Sequence, residues 1–350
     1  MKNIYIGLAT ITGLLFASCK KESKHLALAT PTVYAAGYVR NTSGATGITV
    51  ATLWTNGVPA SLGSNTYASN ITSIAVNGTD VYTTGWQYSG SFSIATLWKN
   101  GVPTSLGDAT HDSGAGSVYV NGTDVYVMGS YNTPVPAIGI KTTGTIWKNG
   151  VATDMPSGTL GIYPSSMFVS GTDIYVAGYA PGSGDGTATL WKNGVATNLT
   201  DGTTNAQAVS VFVSGSDVYV AGYEINAANT AATVKLWKNG VVSNLTDGTT
   251  YCNANGLYVD GSDVYVVGES QDSSGAQFAT LWKNGVETHL TDGTSTAAYA
   301  TAVYVNGSDV YIAVNELNDV VTTAKIWKNG VLTNLSDGVH DATVYGLLVK

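Results

Sequence analysis

Charged residues and cysteine are scarce in this 350-residue chain. Asp, Glu, Lys and Arg make up 11% of it, there are two cysteines, and the only arginine is Arg40. Of the 15 basic residues, six lie in one repeated turn and four in the first 24 residues. A nucleic-acid partner needs a clustered basic surface that replaces counterions, and the composition argues against one. No stretch keeps a helical period, so we expect almost no helix beyond the N-terminal leader.

Glycine, tyrosine and apolar residues are abundant instead, and they recur in one repeated unit. The unit at 211–240 reads VFVSGSDVYVAGY, a variable loop, then KLWKNG. Its first half recurs at 32–38, 77–86, 121–130, 170–179, 260–269 and 306–315. Its tryptophan recurs at intervals of 44, 49, 44, 46, 45 and 45 residues: Trp54, Trp98, Trp147, Trp191, Trp237, Trp282 and Trp327. A period in the mid-forties with several strands per unit is typical of a β-propeller.

Each unit divides into four predicted strands, which in the 211–240 unit are 211–213, 218–221, 234–237 and 241–245. Apolar content falls from the first strand to the last, which predicts a radial order from inner to outer. Asn239-Gly240 predicts a tight hairpin between the third and fourth strands. The turn at 214–217 joins the first two strands, and we expect the Asp217 side chain to bond loop amides.

The strand count predicts how the ring closes. The chain begins at a second strand (33–37) and ends at a first strand (346–350), which aligns with 256–260. We therefore predict an all-β, seven-bladed β-propeller at 32–350, with four antiparallel strands per blade and the C-terminal strand joining the N-terminal blade. The alternation of DVYVAGY with WKNG resembles the repeats of bacterial secreted or lipoprotein β-propeller families. That resemblance implies the fold and export, and it carries no assigned activity.

The first 18 residues have the pattern of a signal peptide, with Lys2, an apolar run and small residues before Cys19. The segment 15–19 resembles a bacterial lipobox, which implies that Cys19 is lipidated; the alternative is an ordinary secretory signal. Residues 19–31 then form a tether, whose 20–24 run resembles a surface-export signal of some Gram-negative bacteria. We expect an outer-membrane lipoprotein that faces either the cell surface or the periplasm and is held to the membrane by its lipid anchor alone. With Cys19 acylated, only Cys252 remains, so no intramolecular disulfide can form.

The predicted ligand site lies on one face of the ring. The turns between strands one and two and between strands three and four share a nearly invariant end, named here the turn face. The other end, the loop face, carries segments of 13 to 18 residues between the end of strand two and the next tryptophan. Aromatic rings and hydrogen-bond acceptors there suit a sugar ring. The candidate ligand-binding residues are Tyr38, Trp86, Tyr88, Tyr179, Tyr223, Glu224 and Glu269.

Other residue patterns have competing interpretations. The repeated tryptophans are predicted to pack between blades rather than to stack on sugars. The aspartates of the LTDG and LSDG runs are predicted to serve turns, and we expect neither a metal nor a cofactor. The best enzymatic candidates are His111-Asp112 and His340-Asp341, which occupy the same register in two crossovers, with Arg40 nearby.

The sequence favours a monomeric binding module of the cell envelope, with a glycan or a surface protein as its partner. A polysaccharide lyase or glycoside hydrolase on the loop face is one alternative, and a structural subunit of an outer-membrane complex is another. The sequence names neither the ligand nor an activity.

Overall fold

Short strands repeat around a central channel in the computed structural model. The structure describes residues 30–44, 46–136, 139–182 and 186–350, of which Thr32–Lys350 form one compact unit. The predicted signal peptide, Cys19 and residues 20–29 lie outside the described residues. Within the described ranges there is no helix, and hence none long and apolar enough to cross a bilayer.

The described strands form seven antiparallel four-stranded sheets, blades 1 to 7, so the predicted seven-bladed propeller is confirmed. The first strands of blades 1 to 7 are β28 (Ala342–Val349), β4 (Ser69–Asn77), β8 (Ser113–Asn121), β12 (Tyr163–Ser170), β16 (Ala206–Ser214), β20 (Cys252–Asp260) and β24 (Ala297–Asn306). The second strands are β1 (Val33–Arg40), β5 (Asp80–Tyr88), β9 (Asp124–Val135), β13 (Asp173–Ala180), β17 (Asp217–Ile225), β21 (Asp263–Gln271) and β25 (Asp309–Asn318). The third strands are β2 (Thr49–Thr55), β6 (Ser93–Lys99), β10 (Gly139–Lys148), β14 (Thr187–Lys192), β18 (Ala232–Lys238), β22 (Gln277–Lys283) and β26 (Val321–Lys328). The fourth strands are β3 (Val58–Ser61), β7 (Val102–Ser105), β11 (Val151–Asp154), β15 (Val195–Asn198), β19 (Val241–Asn244), β23 (Val286–His289) and β27 (Val331–Asn334).

The radial order of the strands follows from their burial. The fourth strands are exposed along nearly their whole length. The first strands of all seven blades line one shared cavity, the central channel. The predicted order, with strand one innermost and strand four outermost, is therefore confirmed.

The hairpins between strands three and four have the predicted geometry. Asn239 and Gly240 both have positive φ, 51° and 82°, the region that an Asn-Gly pair adopts at low energy. The prediction for Asp217 was wrong, because its side chain bonds this neighbouring hairpin instead of its own loop. Asp217 accepts a 2.8 Å hydrogen bond from Asn239 and lies 2.7 Å from the Lys238 ammonium. The Lys238 ammonium also lies 5.1 Å from the centre of the Tyr219 ring.

This Asp, Lys, Tyr and Asn cluster recurs in blades 2 to 7 and ties the two turns of each blade together. In blade 1, Thr32 and Thr55 replace the aspartate and the lysine together. The two charges are thus lost as a pair, as expected if each is there to neutralise the other.

The seven tryptophans are core residues. Six of them are no more than 3% exposed, and Trp327 packs against the core from a partly buried position. Trp98 illustrates the arrangement, because it lies among Ala36 and Ala51 of blade 1 and Ile71 and Ile74 of blade 2. Packing between blades, as predicted, is therefore confirmed.

The C-terminal strand closes the ring as predicted. β28 pairs antiparallel with β1, with Val349 opposite Val33 and Leu347 opposite Ala35. The chain ends of the propeller also bond directly, through Thr32 N to Lys350 O at 2.6 Å and Lys350 N to Thr32 O at 2.9 Å. Both ends lie on the turn face, since the turn residue Asn56 accepts a hydrogen bond from the Val33 amide.

Candidate functional site

The central channel is shaped by one β-bulge in the inner strand of every blade. A bulge leaves one residue of the strand without a partner on the neighbouring strand and turns the local backbone. The seven unpaired residues are Tyr345, Thr72, Gly116, Ser165, Val209, Asn255 and Thr301, in the order of blades 1 to 7. All seven line the channel, so one bulge per blade supplies its wall.

Several bulge side chains link neighbouring blades. Thr72 Oγ1 donates a 2.7 Å hydrogen bond to the carbonyl of Ala115 in the next blade. Asn255 Nδ2 donates in the same way to Ala300, and Thr301 Oγ1 to Val344, at 3.0 and 2.9 Å. These bonds satisfy carbonyls that the bulges free, and they fix the channel wall.

Where the channel opens on the loop face, it widens into a cavity of about 500 Å³, named here the mouth. Its wall consists of six bulge residues together with Glu269 and Tyr299. Glu269 is the single charged residue among those lining the channel and the mouth in the described structure. Burial raises the pKa of Glu269 above its ordinary value, an effect that a hydrogen bond from Asn253 partly offsets. The mouth thus places a half-buried carboxyl group in a wall of tyrosine, hydroxyl and amide groups.

Five tyrosines form an arc around Glu269, named here the tyrosine arc: Tyr179, Tyr223, Tyr299, Tyr345 and Tyr38. Burial raises the pKa of Tyr223, and electrostatic interactions with Tyr179 and with the Glu269 carboxylate add to the rise. Burial likewise raises the pKa of Tyr299, with further contributions from Tyr38 and Glu269. The rings of Tyr38 and Tyr345 have centroids 6.3 Å apart. The arc therefore continues from blade 4 through blades 5, 6 and 7 to blade 1.

Four of the predicted ligand-binding residues belong to this arrangement. Each of the four directly follows the glycine of strand two, and they occupy equivalent positions in four blades: Tyr38, Tyr179, Tyr223 and Glu269. Tyr179 also stacks on Tyr163 of the adjacent inner strand, with centroids 4.7 Å apart. The repeated sequence register thus brings together residues that are more than 40 positions apart in the chain.

The other three predicted ligand-binding residues are placed differently. Tyr88 is exposed and packs its ring edge against Tyr67, 6.3 Å away. Glu224 forms an ion pair with Lys235, so its charge is already compensated. Trp86 is half-buried and lies opposite Asn70 in the register of blade 2. Of the seven predicted ligand-binding residues, only Glu269 lines the mouth cavity itself.

The two His-Asp dipeptides occupy the same register, but within each pair the side chains separate. Asp112 accepts a 2.9 Å hydrogen bond from the Ser93 amide, and Asp341 accepts one of the same length from Thr322. Each imidazole ring contacts a residue that precedes it in the chain. His111 Nδ1 lies 2.7 Å from Thr110 Oγ1, and His340 Nδ1 lies 2.7 Å from Asp337. The aspartates therefore cap neighbouring strands and do not orient the imidazoles.

Arg40 and His111 of the candidate catalytic set also contact residues of their own surroundings and do not join the two dipeptides. Arg40 Nε bonds Asp341 at 3.0 Å, and Tyr38 donates to the same carboxylate at 3.3 Å. His111 lines a separate cavity of about 410 Å³ with Tyr131 and Asp154, which includes no residue from the His340 segment. The fold does not assemble the two dipeptides into one site.

A third cluster has catalytic residue types and the wrong geometry for a hydrolase. In a groove of about 470 Å³, Ser270 lies 2.8 Å from Glu287 Oε1 and 3.4 Å from His289 Nε2. Glu287 also approaches that same nitrogen, at 3.1 Å. A Ser-His-acid triad needs one imidazole nitrogen for the serine and the other for the acid. This cluster is therefore a local polar network beside the Phe278 ring, which stacks on His289 at 4.0 Å.

The LTDG aspartates serve turns, as predicted. Asp201, Asp247 and Asp292 each accept bonds from the amide and hydroxyl of the threonine two residues later. In the LSDG copy, the backbone amide of His340 and then its ring hold the pKa of Asp337 at about 2. Across the described ranges, no three His, Cys, Asp or Glu residues converge as metal ligands do.

Sequence reasoning missed the residues of the site that come from strand one. The sequence pattern does not point to Tyr299, Tyr345, Asn253 or Asn255, because the most strongly repeated motif begins at the turn after strand one. A signal is present in the register, since aligning 252–259 with 298–305 and 342–349 places Asn255, Thr301 and Tyr345 at one position.

No protein-family model matches the sequence, and no curated protein is significantly similar to it. Solved structures with the same fold include the puromycin-hydrolysing peptidase of Mycobacterium tuberculosis, with a TM-score of 0.57 and 10% identity over 87% of this chain and 53% of that one. The β-propeller domain of the Trilobed protease from Pyrococcus furiosus matches with a TM-score of 0.53 and 12% identity, covering 87% of this chain and 96% of that domain. The acylaminoacyl peptidase of Pyrococcus horikoshii gives a TM-score of 0.50 at 12% identity over 86% of this chain and 53% of that one.

The chain spans about half the length of the Mycobacterium tuberculosis and Pyrococcus horikoshii peptidases that it matches. At identities of 10 to 12%, these similarities establish the propeller fold and transfer no activity.

Proposed function

We propose that this protein is an exported lipoprotein whose propeller binds a glycan at the loop-face mouth of its channel. The observation that carries the proposal is the tyrosine arc around Glu269, beside a cavity of about 500 Å³. Sugar rings present an apolar face that stacks on aromatic rings and hydroxyls that bond carboxyl and amide groups. The mouth supplies both kinds of contact in one wall.

The chain enters the propeller and the mouth opens on opposite faces of the ring. Thr32 lies on the turn face, whereas the mouth opens on the loop face. The tether predicted at residues 19–31 therefore joins the propeller on the face opposite the proposed ligand site.

A glycan array probed with the soluble chain lacking residues 1–19 tests the binding function. We expect Tyr299→Ala to weaken binding of any recognised glycan by about ten-fold, because the loss of one aromatic stacking contact, which contributes about 1–3 kcal/mol for a nucleic-acid base, corresponds to roughly that factor. Tyr88→Ala is the matched control, since this exposed tyrosine lies outside the arc, and it should leave the affinity unchanged. Equal losses in both variants, or no bound glycan together with capture of a cell-surface protein, would contradict the proposal.

Anchoring is tested by cell fractionation. Cys19→Ser should release the protein from the membrane fraction, because the lipid attachment is lost. Cys252→Ala is the control, since that buried thiol is the only other cysteine in the chain. A Cys19→Ser protein that stays with the membrane rules out the lipoprotein assignment.

A further inference from the structure

The charge at the mouth has no partner, which sets Glu269 apart from the other described glutamates. Glu224 and Glu316 form ion pairs with Lys235 and Lys325, and Glu287 lies 3.1 Å from His289. Glu269 makes no ion pair in the described structure, and its one hydrogen bond comes from Asn253 Nδ2 to Oε1, at 2.8 Å. Its second oxygen, Oε2, has no protein partner among these residues and belongs to a side chain that lines the cavity.

No nearby basic side chain is placed to reach this oxygen. None of the residues that line the channel or its mouth is a lysine, an arginine or a histidine. Arg40, on blade 1, is already engaged by Asp341 at 3.0 Å and by the Gly47 carbonyl at 2.8 Å. Among the described residues, no basic side chain therefore compensates the charge of Glu269.

A half-buried carboxylate without a counter-charge favours a cation, because pairing recovers the free energy lost on desolvation. Tyrosine rings add to this preference, since a cation over an aromatic face is attracted by the ring quadrupole. Tyr299 of blade 7 and Tyr345 of blade 1 line the same cavity as Glu269, so their rings are available to a cation bound there. An inorganic divalent ion fits less well, because it requires several oxygen ligands and the mouth offers one carboxylate.

We propose that the mouth recognises a protonated amino group, and that its ligand is an amino sugar with a free amine. In this arrangement the ammonium group pairs with Glu269 Oε2, and the sugar ring lies against the tyrosine arc. The inference rests on the proposed glycan-binding function and specifies the class of glycan.

Isothermal titration calorimetry with matched oligosaccharides tests the inference. The probes are the β-1,4 tetramers of glucosamine, N-acetylglucosamine and glucose, which share a backbone and differ at one substituent. We expect the glucosamine tetramer to bind at least about ten-fold more tightly than the other two near neutral pH, which corresponds to about 1.4 kcal/mol. Glu269→Gln keeps the shape and removes the charge, so it should bring the three affinities together. Glu224→Gln is the matched control, because that carboxylate is paired with Lys235, and it should preserve the preference.

The outcomes separate this inference from the function on which it rests. Equal binding of the three tetramers, or of neutral glycans alone, overturns the amine preference and leaves glycan binding standing. A glucosamine preference that survives Glu269→Gln also overturns it, because the charge then acts elsewhere. If no tetramer binds and the glycan array is empty as well, the proposed function fails together with the inference.

Discussion

Asn253 donates a 2.8 Å hydrogen bond to Glu269 from the directly opposite position of the neighbouring strand in blade 6. The amide satisfies one carboxylate oxygen and leaves the other toward the channel mouth. This is the only hydrogen bond that Glu269 receives from the described residues. Burial therefore disfavours its charged form in the folded protein, at a cost in stability that can be measured.

Glu269→Gln should stabilise the protein at neutral pH and have little effect in acid. Burial raises the pKa of Glu269 above its ordinary value of 4.5, so the folded state binds this proton more tightly than the unfolded state. The wild-type protein therefore loses stability as the pH rises through the folded pKa, whereas the amide variant does not. Melting temperatures of the two proteins across a pH series check this. A difference that is constant with pH would show that the charge is not the cause.

Trp98→Ala should lower the free energy of unfolding by about 3–5 kcal/mol, because a large side chain is removed from the contact between blades 1 and 2. Trp98→Phe should cost much less, since the buried indole nitrogen of Trp98 has no hydrogen-bond partner to lose. Urea denaturation of both variants measures the difference. If Trp98→Phe lowers the free energy of unfolding as much as Trp98→Ala does, a polar contact of the indole contributes more to stability than its packing.

Blade 2 can be stabilised at two buried threonines. The hydroxyls of Thr83 and Thr84 are buried without a hydrogen-bond partner, where other blades have Val127 or Ala177. Thr83→Val and Thr84→Ala should each raise the free energy of unfolding by about 1 kcal/mol, because they remove an unsatisfied buried group.

The control for these substitutions lies in the same blade. Thr96 is equally buried, but its hydroxyl donates a 2.9 Å hydrogen bond to the Ile94 carbonyl, so Thr96→Val should give no gain. Thermal melts of the three single variants distinguish the two situations. If Thr96→Val raises the melting temperature as much as Thr83→Val does, the missing hydrogen bond of the Thr83 hydroxyl is not the cause of the stabilisation.

Removal of residues 342–350 should cause aggregation or a large drop in melting temperature. This segment buries Val344, Leu347 and Val349, and burying three such side chains contributes roughly 5–9 kcal/mol as an upper estimate. That is comparable to the whole net stability of a typical domain. Deleting residues 20–29, which precede the propeller, is the control and should change melting little. Similar melting of both truncated proteins would contradict closure through β28.

The ring and its closure could be predicted because they depend on signals that repeat. Each Asn-Gly pair fixes a hairpin locally, as the positive φ values of Asn239 and Gly240 show, and seven tryptophans give the blade number. The chain therefore specifies its topology through short-range backbone preferences, which a single sequence reveals directly.

The site could be predicted only in part, because its environment is assembled from different blades. The sequence indicated Glu269 and Tyr223 by their position after strand two. It did not show that Glu224, one residue past Tyr223, is paired with Lys235 while Glu269 is unpaired, since that depends on side-chain contacts within each blade. The bulge at Tyr345 shifts the register by a single residue, and alternation of apolar and polar residues does not reveal such a shift.

The pairing of β28 with β1 also fixes the order in which the molecule can be completed during synthesis. Among the described strands, β1 leaves the ribosome first and its inner neighbour β28 leaves it last. Until β28 has been synthesised, blade 1 has an unpaired inner edge, and such an edge is a template for aggregation. Premature termination before residue 342 therefore leaves the inner edge of blade 1 open.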